Sequence, residues 1–252
     1  MTMPELADRL AAAGFLSARE EAEQLRTAAG DDEAVLAGLA ERRLAGEPLA
    51  WIVGSAAFCG LRVRVDPGVY VPRPHTEELA LRAAARLPAQ GIAVDVCTGS
   101  GAVAAVLANR RPQATVVATD VDERAVRCAR ANGVDARAGD LFAPLPAGLR
   151  GRVDVVTGVV PYVPAPELRA LQRDTFAFES PLAYDGGPDG TAILRRVLEE
   201  APLKPGGAVV LGLGAGQPEA LAPELARLGY RDPAVITDEN GDVRGLETTL
   251  DA

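Results

Sequence analysis

"VDVCTGSGAVAAVLA", residues 94 to 108, runs from an apolar strand straight into two glycines and then into a helix of small residues. Gly99 and Gly101 let the chain turn tightly and bring backbone N–H groups close to a bound nucleotide. The third glycine of a dinucleotide fingerprint is missing, so the segment alone fits either a bare βα turn or a nucleotide site. Its surroundings decide. The pattern predicts a helix at 76–87, a strand at 91–97, a helix at 101–110, a strand at 114–120 and a helix at 122–132. Further strands are expected at 152–157, 207–213 and 233–237, and helices near 189–200 and 217–228. Strands alternating with helices at this pitch predict an open, mostly parallel α/β sheet, with its ligand at the carboxyl ends of the strands.

Those strand ends carry acidic residues. "ATDVDERAV" places Asp120 at the tip of the strand after the glycines, where a carboxylate accepts both hydroxyls of a ribose. "ARAGDLF" places Asp140 at the next tip, facing an adenine amine, with Leu141 and Phe142 to flank the ring. Asp95, on the first strand, suits a cofactor with an amino-acid moiety and a sulfonium better than a pyrophosphate. The expected cofactor is S-adenosyl-L-methionine, held by Asp95, Thr98, Gly99, Gly101, Asp120, Val121, Asp140 and Leu141. NAD is the second candidate.

Composition sets the outer limits. A chain of 252 residues, 48% apolar and 24% charged, supports one large core. A formal net charge of −9 disfavours a nucleic-acid partner. No window resembles a membrane span, and the N-terminus has no signal-peptide character, so a cytoplasmic protein without membrane contact is expected. Cys59, Cys97 and Cys128 are scattered and His75 is the one histidine, which leaves no zinc spacing to write; no metal is expected. Apolar residues at helical spacing, broken at Gly14 and Gly30, mark 1–46 as a small helical unit. Residues 47–75, where Leu61, Val63 and Val65 alternate with Arg62, Arg64 and Asp66, form a linking hairpin, and 76–252 form the main domain.

Taken together, these motifs resemble the HemK-like protein N5-glutamine methyltransferases, which include those acting on peptide-chain release factors. The likeness runs from about Gly46 to the C-terminus. "DVCTGSGAV" is similar to the family's cofactor loop, "ATDVDERAV" to its ribose strand and "RAGDLF" to its adenine tip. "YVPRPHTEEL" resembles its P-R-P-E-T-E segment, with His75 in place of the first Glu, and "FESPLAYDGGPDG" its E-P-x-x-A-L-x-G-G-x-D-G stretch. "LKPGGAVVLGLGAGQ" resembles its L-K-P-G-G-x-L-L-L-E-I-G-x-x-Q strand, with Gly212 in place of the Glu. The resemblance implies a Rossmann-like seven-strand S-adenosylmethionine-dependent methyltransferase domain with a small helical N-terminal unit.

One stretch departs from the family. "TGVVPYVP", residues 157 to 164, aligns on its N-P-P-Y motif with Val159 on the Asn and Val160 on the first Pro, and keeps Pro161 and Tyr162. An amide nitrogen is a poor nucleophile, and acceptors drawing on its hydrogens help to make it pyramidal in the transition state. Valine offers none. Losing one such hydrogen bond in a closed site costs roughly 2–4 kcal/mol, about 30- to 1000-fold in rate. The expected acceptor is therefore an altered one, a small molecule or a non-amide group, in a pocket shaped by Val159, Val160, Pro161, Tyr162 and Tyr70. Two alternatives stand beside it: a true release-factor glutamine methyltransferase working through backbone carbonyls, and a non-catalytic cofactor-binding protein. Arg73 is expected to reach a cofactor carboxylate or Glu77. His75 is read as a helix cap or surface residue, and as the first general-base candidate should the acceptor be a hydroxyl. The glycine-dense "YDGGPDG" is read as a structural loop.

Overall fold

The computed structural model describes residues 1–170 and 178–251. Three amphipathic helices come first: α1 (Met3–Ala12), α2 (Ala18–Ala29) and α3 (Glu33–Leu44). Thr2 and Glu5 form a capping box that starts α1, and Asp32 starts α3 by accepting the N–H groups of Ala34 and Val35. Leu6, Leu10, Leu25 and Leu36 make a core of their own, joined by Ile52 from α4 (Leu49–Val53). Trp51, also on α4, donates its indole N–H to the Val69 carbonyl at 2.9 Å and so fixes the approach to the site loop.

β1 (Ser55–Phe58) and β2 (Leu61–Arg64) pair as an antiparallel hairpin. The alternation read over 61–66 is real but the strand stops at Arg64, and a turn of irregular chain leads on to Pro74–Thr76 and α5 (Glu77–Arg86). The main sheet then builds from β3 (Ile92–Val96), α6 (Ala102–Arg110), β4 (Thr115–Asp120), α7 (Glu123–Ala131), β5 (Asp135–Ala138) and β6 (Val153–Gly158). It closes with α8 (Ala192–Glu200), β7 (Leu203–Gly212), α9 (Gln217–Leu228), β8 (Tyr230–Thr237) and β9 (Val243–Leu250). This is the Rossmann-like seven-strand sheet that the resemblance implies, in the order β5-β4-β3-β6-β7-β9-β8, with only β9 antiparallel to its neighbours.

The strands read as apolar runs because helices cover both faces. Ala93, Val155 and Val210 meet α5 and α6 on one face, while Val94, Val156 and Val209 meet α8 and α9 on the other. The chain moves outward from β3 to β5 and then returns to β6, so the strand order reverses between β3 and β6. A crevice opens at such a reversal, beyond the carboxyl ends of the strands. Among the described residues no helix is long and apolar enough to cross a membrane.

Candidate active site

The glycine loop, the tips of β3, β4 and β6, the Val69–Thr76 stretch and the Ser180–Ala183 turn enclose a cleft of about 940 Å³ of empty space, open mouth included. Two glycines shape its floor. Gly101 sits at φ +80°, and a Cβ there would lie 2.9 Å from that of Ala129, so only glycine lets the loop pass α7. Gly99, at φ +57°, points its N–H at Asp120 Oδ2, 2.9 Å away. The Asp122 N–H donates to the other oxygen of Asp120, also at 2.9 Å. Both oxygens are thus oriented, and each keeps a further acceptor site for a ligand hydroxyl.

Asp95 lies deeper, 1% exposed, and accepts the Thr98 hydroxyl at 2.5 Å. Burial pushes its carboxyl up to about 7, with Asp120 adding to the rise. Asp120 is also raised, chiefly by burial. Two desolvated carboxylates on one floor favour a ligand with cationic character and disfavour a pyrophosphate. The donor set therefore fits S-adenosylmethionine, with its ammonium and sulfonium, better than NAD.

Asp95, Thr98, Gly99, Asp120 and Val121 all line this cleft. Gly101 stands just behind the wall. Asp140 and Leu141 do not line it: Asp140 is ion-paired with Arg196 at 2.8 Å, and Leu141, at φ +43°, is 4% exposed and packed into the core with Phe142. Leu141 and Phe142, expected to flank an adenine ring, pack together in the core. Cys97, also on the wall, holds a left-handed φ of 52°, and burial raises its thiol far above the ordinary range.

Val159, Pro161 and Tyr70 line the same cleft, and a Cβ at Gly99 would lie 3.8 Å from that of Tyr70. Val160 turns the other way, 1% exposed, into the core between β6 and α8. Among the described residues no hydrogen bond is made to the Val160 carbonyl. Tyr162 lies outside the wall against Gly214, and Gln217 fixes its backbone by donating to its carbonyl at 2.7 Å. The same Gln217 amide donates to Gly190 at 3.1 Å, which ties the "YDGGPDG" loop beneath the motif.

A residue of "FESPLAYDGGPDG" to which the sequence reading gives no role holds the mouth together. Glu179, with its side chain fully buried, accepts the Val71 N–H at 2.8 Å, Arg73 Nη2 at 2.5 Å and the Tyr184 hydroxyl. Arg73 thus reaches Glu179, not Glu77, whose carboxylate instead accepts the Cys59 N–H at 2.9 Å. Tyr70 packs edge-on against Tyr184, ring centroids 5.8 Å apart, and the Arg73 guanidinium lies 5.0 Å from its ring centre. Burial pushes the Tyr70 phenol up to about 12, so it stays protonated at neutral pH. His75 is half-buried beside the cleft and not on its wall, and burial with nearby Arg244 and Arg73 lowers its pKa. Among the described residues no cluster of ligating side chains could hold a metal ion.

Comparison with known proteins gives one consistent result. Residues 62–142 match the family model described as the methyltransferase small domain. The release factor glutamine methyltransferase of Geobacter sulfurreducens is 36% identical over 84% of this chain and 76% of its own length. That of Streptomyces coelicolor is 35% identical over 92% of this chain and 87% of its own. Among solved structures, the E. cuniculi Mtq2-Trm112 complex, responsible for methylation of the eRF1 translation termination factor, superposes with a TM-score of 0.55 at 22% identity, covering 73% of this chain and 99% of that one.

Proposed function

Because the chain belongs to the release factor glutamine methyltransferase family, and is an S-adenosylmethionine-dependent methyltransferase, we propose that its acceptor is the side-chain amide of a glutamine in a peptide-chain release factor. The cofactor supplies an already activated methyl group, so the protein's part is alignment and not acid or base chemistry. Asp120 and the Gly99 loop would hold the ribose end, with Val121 against the adenosine, and Asp95 and Thr98 would face the amino-acid end. This leaves the methyl group directed at Val159, Pro161 and Tyr70.

The motif in this chain carries Val159 and Val160 where the family has Asn and Pro. The Val160 carbonyl takes over as acceptor for one amide hydrogen, its orientation constrained because the residue before a proline is held in the extended region. Tyr70 closes the pocket from above and keeps water from the acceptor. The observation that carries this reading is the Val160 carbonyl, free of any hydrogen bond among the described residues and flanked by two residues that line the cleft. Identity spread over most of both chains supports glutamine more strongly than the altered acceptor expected from Val159 alone.

One observation favours the altered acceptor as a second reading. Val159 presents a branched apolar side chain to the cleft, a wall that tolerates a target needing no hydrogen-bond acceptor there. Methyl transfer from radiolabelled S-adenosylmethionine into an extract separates the two. Label in a protein band the size of a release factor supports glutamine; label confined to small molecules supports the altered acceptor and removes the first reading.

A further inference from the structure

Gly212, the last residue of β7, lies in extended backbone, where no left-handed φ calls for glycine. A glycine inside a strand weakens it and often marks the close approach of another group. That group is Val159. A Cβ at position 212 would come 3.4 Å from Val159 Cγ1 and 3.5 Å from both its Cα and its Cγ2. The near-equal distances aim the missing side chain straight at the isopropyl group. A Cβ alone would sit in ordinary contact, whereas any atom beyond it has to displace Val159.

β7 cannot retreat to make that room. Its end is held on both sides, Leu211 in register with Gly158 of β6 and Gly212 with Gly245 of β9. The neighbouring Leu211 and Leu213 are each 1% exposed in the core. Val159 is half-buried and lines the cleft.

We infer that Gly212 is a specificity-determining residue: by carrying no side chain it lets Val159 lie back against β7, and so sets the width of the acceptor end of the cleft. A larger residue at 212 would narrow that end from behind without touching substrate. Asp95 on β3, Gly99 in the loop after it and Asp120 at the end of β4 would keep their places. The inference rests on the glutamine reading for the choice of acceptor.

The test is a size exchange, with steady-state kinetics on the release factor and calorimetric binding of S-adenosylhomocysteine for each variant. Gly212→Val should raise the acceptor KM about tenfold with a smaller change in kcat, and leave cofactor affinity within about twofold. Adding Val159→Ala should bring KM back to within about threefold of wild type, because the smaller residue vacates the contested space. Gly212→Ala should give a rise below about threefold. If Gly212→Val fails to fold, the double variant must recover both folding and acceptor KM. An unchanged KM in Gly212→Val, a double variant no better than the single one, or a parallel loss of cofactor affinity would overturn the inference. Wild-type turnover of the release factor is the control: its absence removes the glutamine reading and this inference with it, whereas turnover without a size effect removes this inference alone.

Discussion

Replacing Glu179 should loosen the acceptor side of the cleft while sparing the cofactor side. The carboxylate is fully buried and gathers the Val71 N–H at 2.8 Å, Arg73 Nη2 at 2.5 Å and the Tyr184 hydroxyl. Removing one partner of a buried, hydrogen-bonded ion pair costs about 3–5 kcal/mol, since the other charge is left uncompensated. Glu179→Gln is gentler: it retains one acceptor oxygen and loses the charge, so a loss of about 1.5–3 kcal/mol is expected. In a chain of this size that corresponds to a fall of about 3–12 °C in Tm. The functional effect should be selective, because Glu179 joins the stretch bearing Tyr70 and Pro72 to the turn bearing Ser180, Leu182 and Ala183, all of which line the mouth. Differential scanning fluorimetry together with kinetics on the release factor measures both. We expect the acceptor KM of Glu179→Gln to rise about tenfold, with S-adenosylhomocysteine affinity within about twofold of wild type. A Tm within about 1 °C of wild type, or equal losses in both ligands, would refute the assignment of Glu179 as a latch on the acceptor wall.

Three further outcomes follow from the site. Asp120→Ala removes the acceptor that organises the Gly99 and Asp122 N–H groups, and should weaken S-adenosylhomocysteine binding at least about tenfold by calorimetry. Burial raises the folded-state pKa of Asp95 to about 7, above its unfolded value, so its contribution to stability is fully present below the unfolded pKa and is lost as pH rises toward 7. The Tm of wild type relative to Asp95→Asn should accordingly fall across that window, and a constant or rising difference would contradict the raised pKa of this buried carboxyl. Val159→Asn should raise the rate of glutamine methylation about tenfold by placing a side-chain acceptor there, measured as initial rate under saturating cofactor. No change in that rate would mean that backbone acceptors already suffice.

The sequence made the middle of the sheet legible and its borders less so. β3, β4 and β6 are apolar runs because each is covered on both faces, and their ends were readable to within a residue or so. β5 was read only through its tip at Asp140, without bounds, because its four residues, Asp135–Ala138, carry no large apolar side chain, and β9 escaped notice because Gly245, Glu247 and Thr249 dilute its alternation. β7 begins at Leu203, earlier than expected, since Lys204-Pro205-Gly206-Gly207 reads as a turn. That Asp95, Gly99 and Asp120 share one cleft was legible because strand ends converge where the strand order reverses. Asp140 occupies such an end too, yet its carboxylate turns outward to Arg196, a partner 56 residues away that no local pattern announces. Glu179 was hidden for the same reason: its link to Val71 spans 108 residues, and nothing near it in the chain signals full burial. The contact between Val159 and Gly212 likewise exists only once β6 and β7 lie side by side.

On the proposed reading, this cleft methylates a glutamine amide with Val159 in place of a side-chain acceptor. Tandem mass spectrometry of the release factor after incubation with the protein and S-adenosylmethionine tests it directly. The account predicts a single added methyl group on the side-chain nitrogen of one glutamine. A methyl group on any other residue type, or an unmodified release factor alongside methylated small molecules, would contradict it.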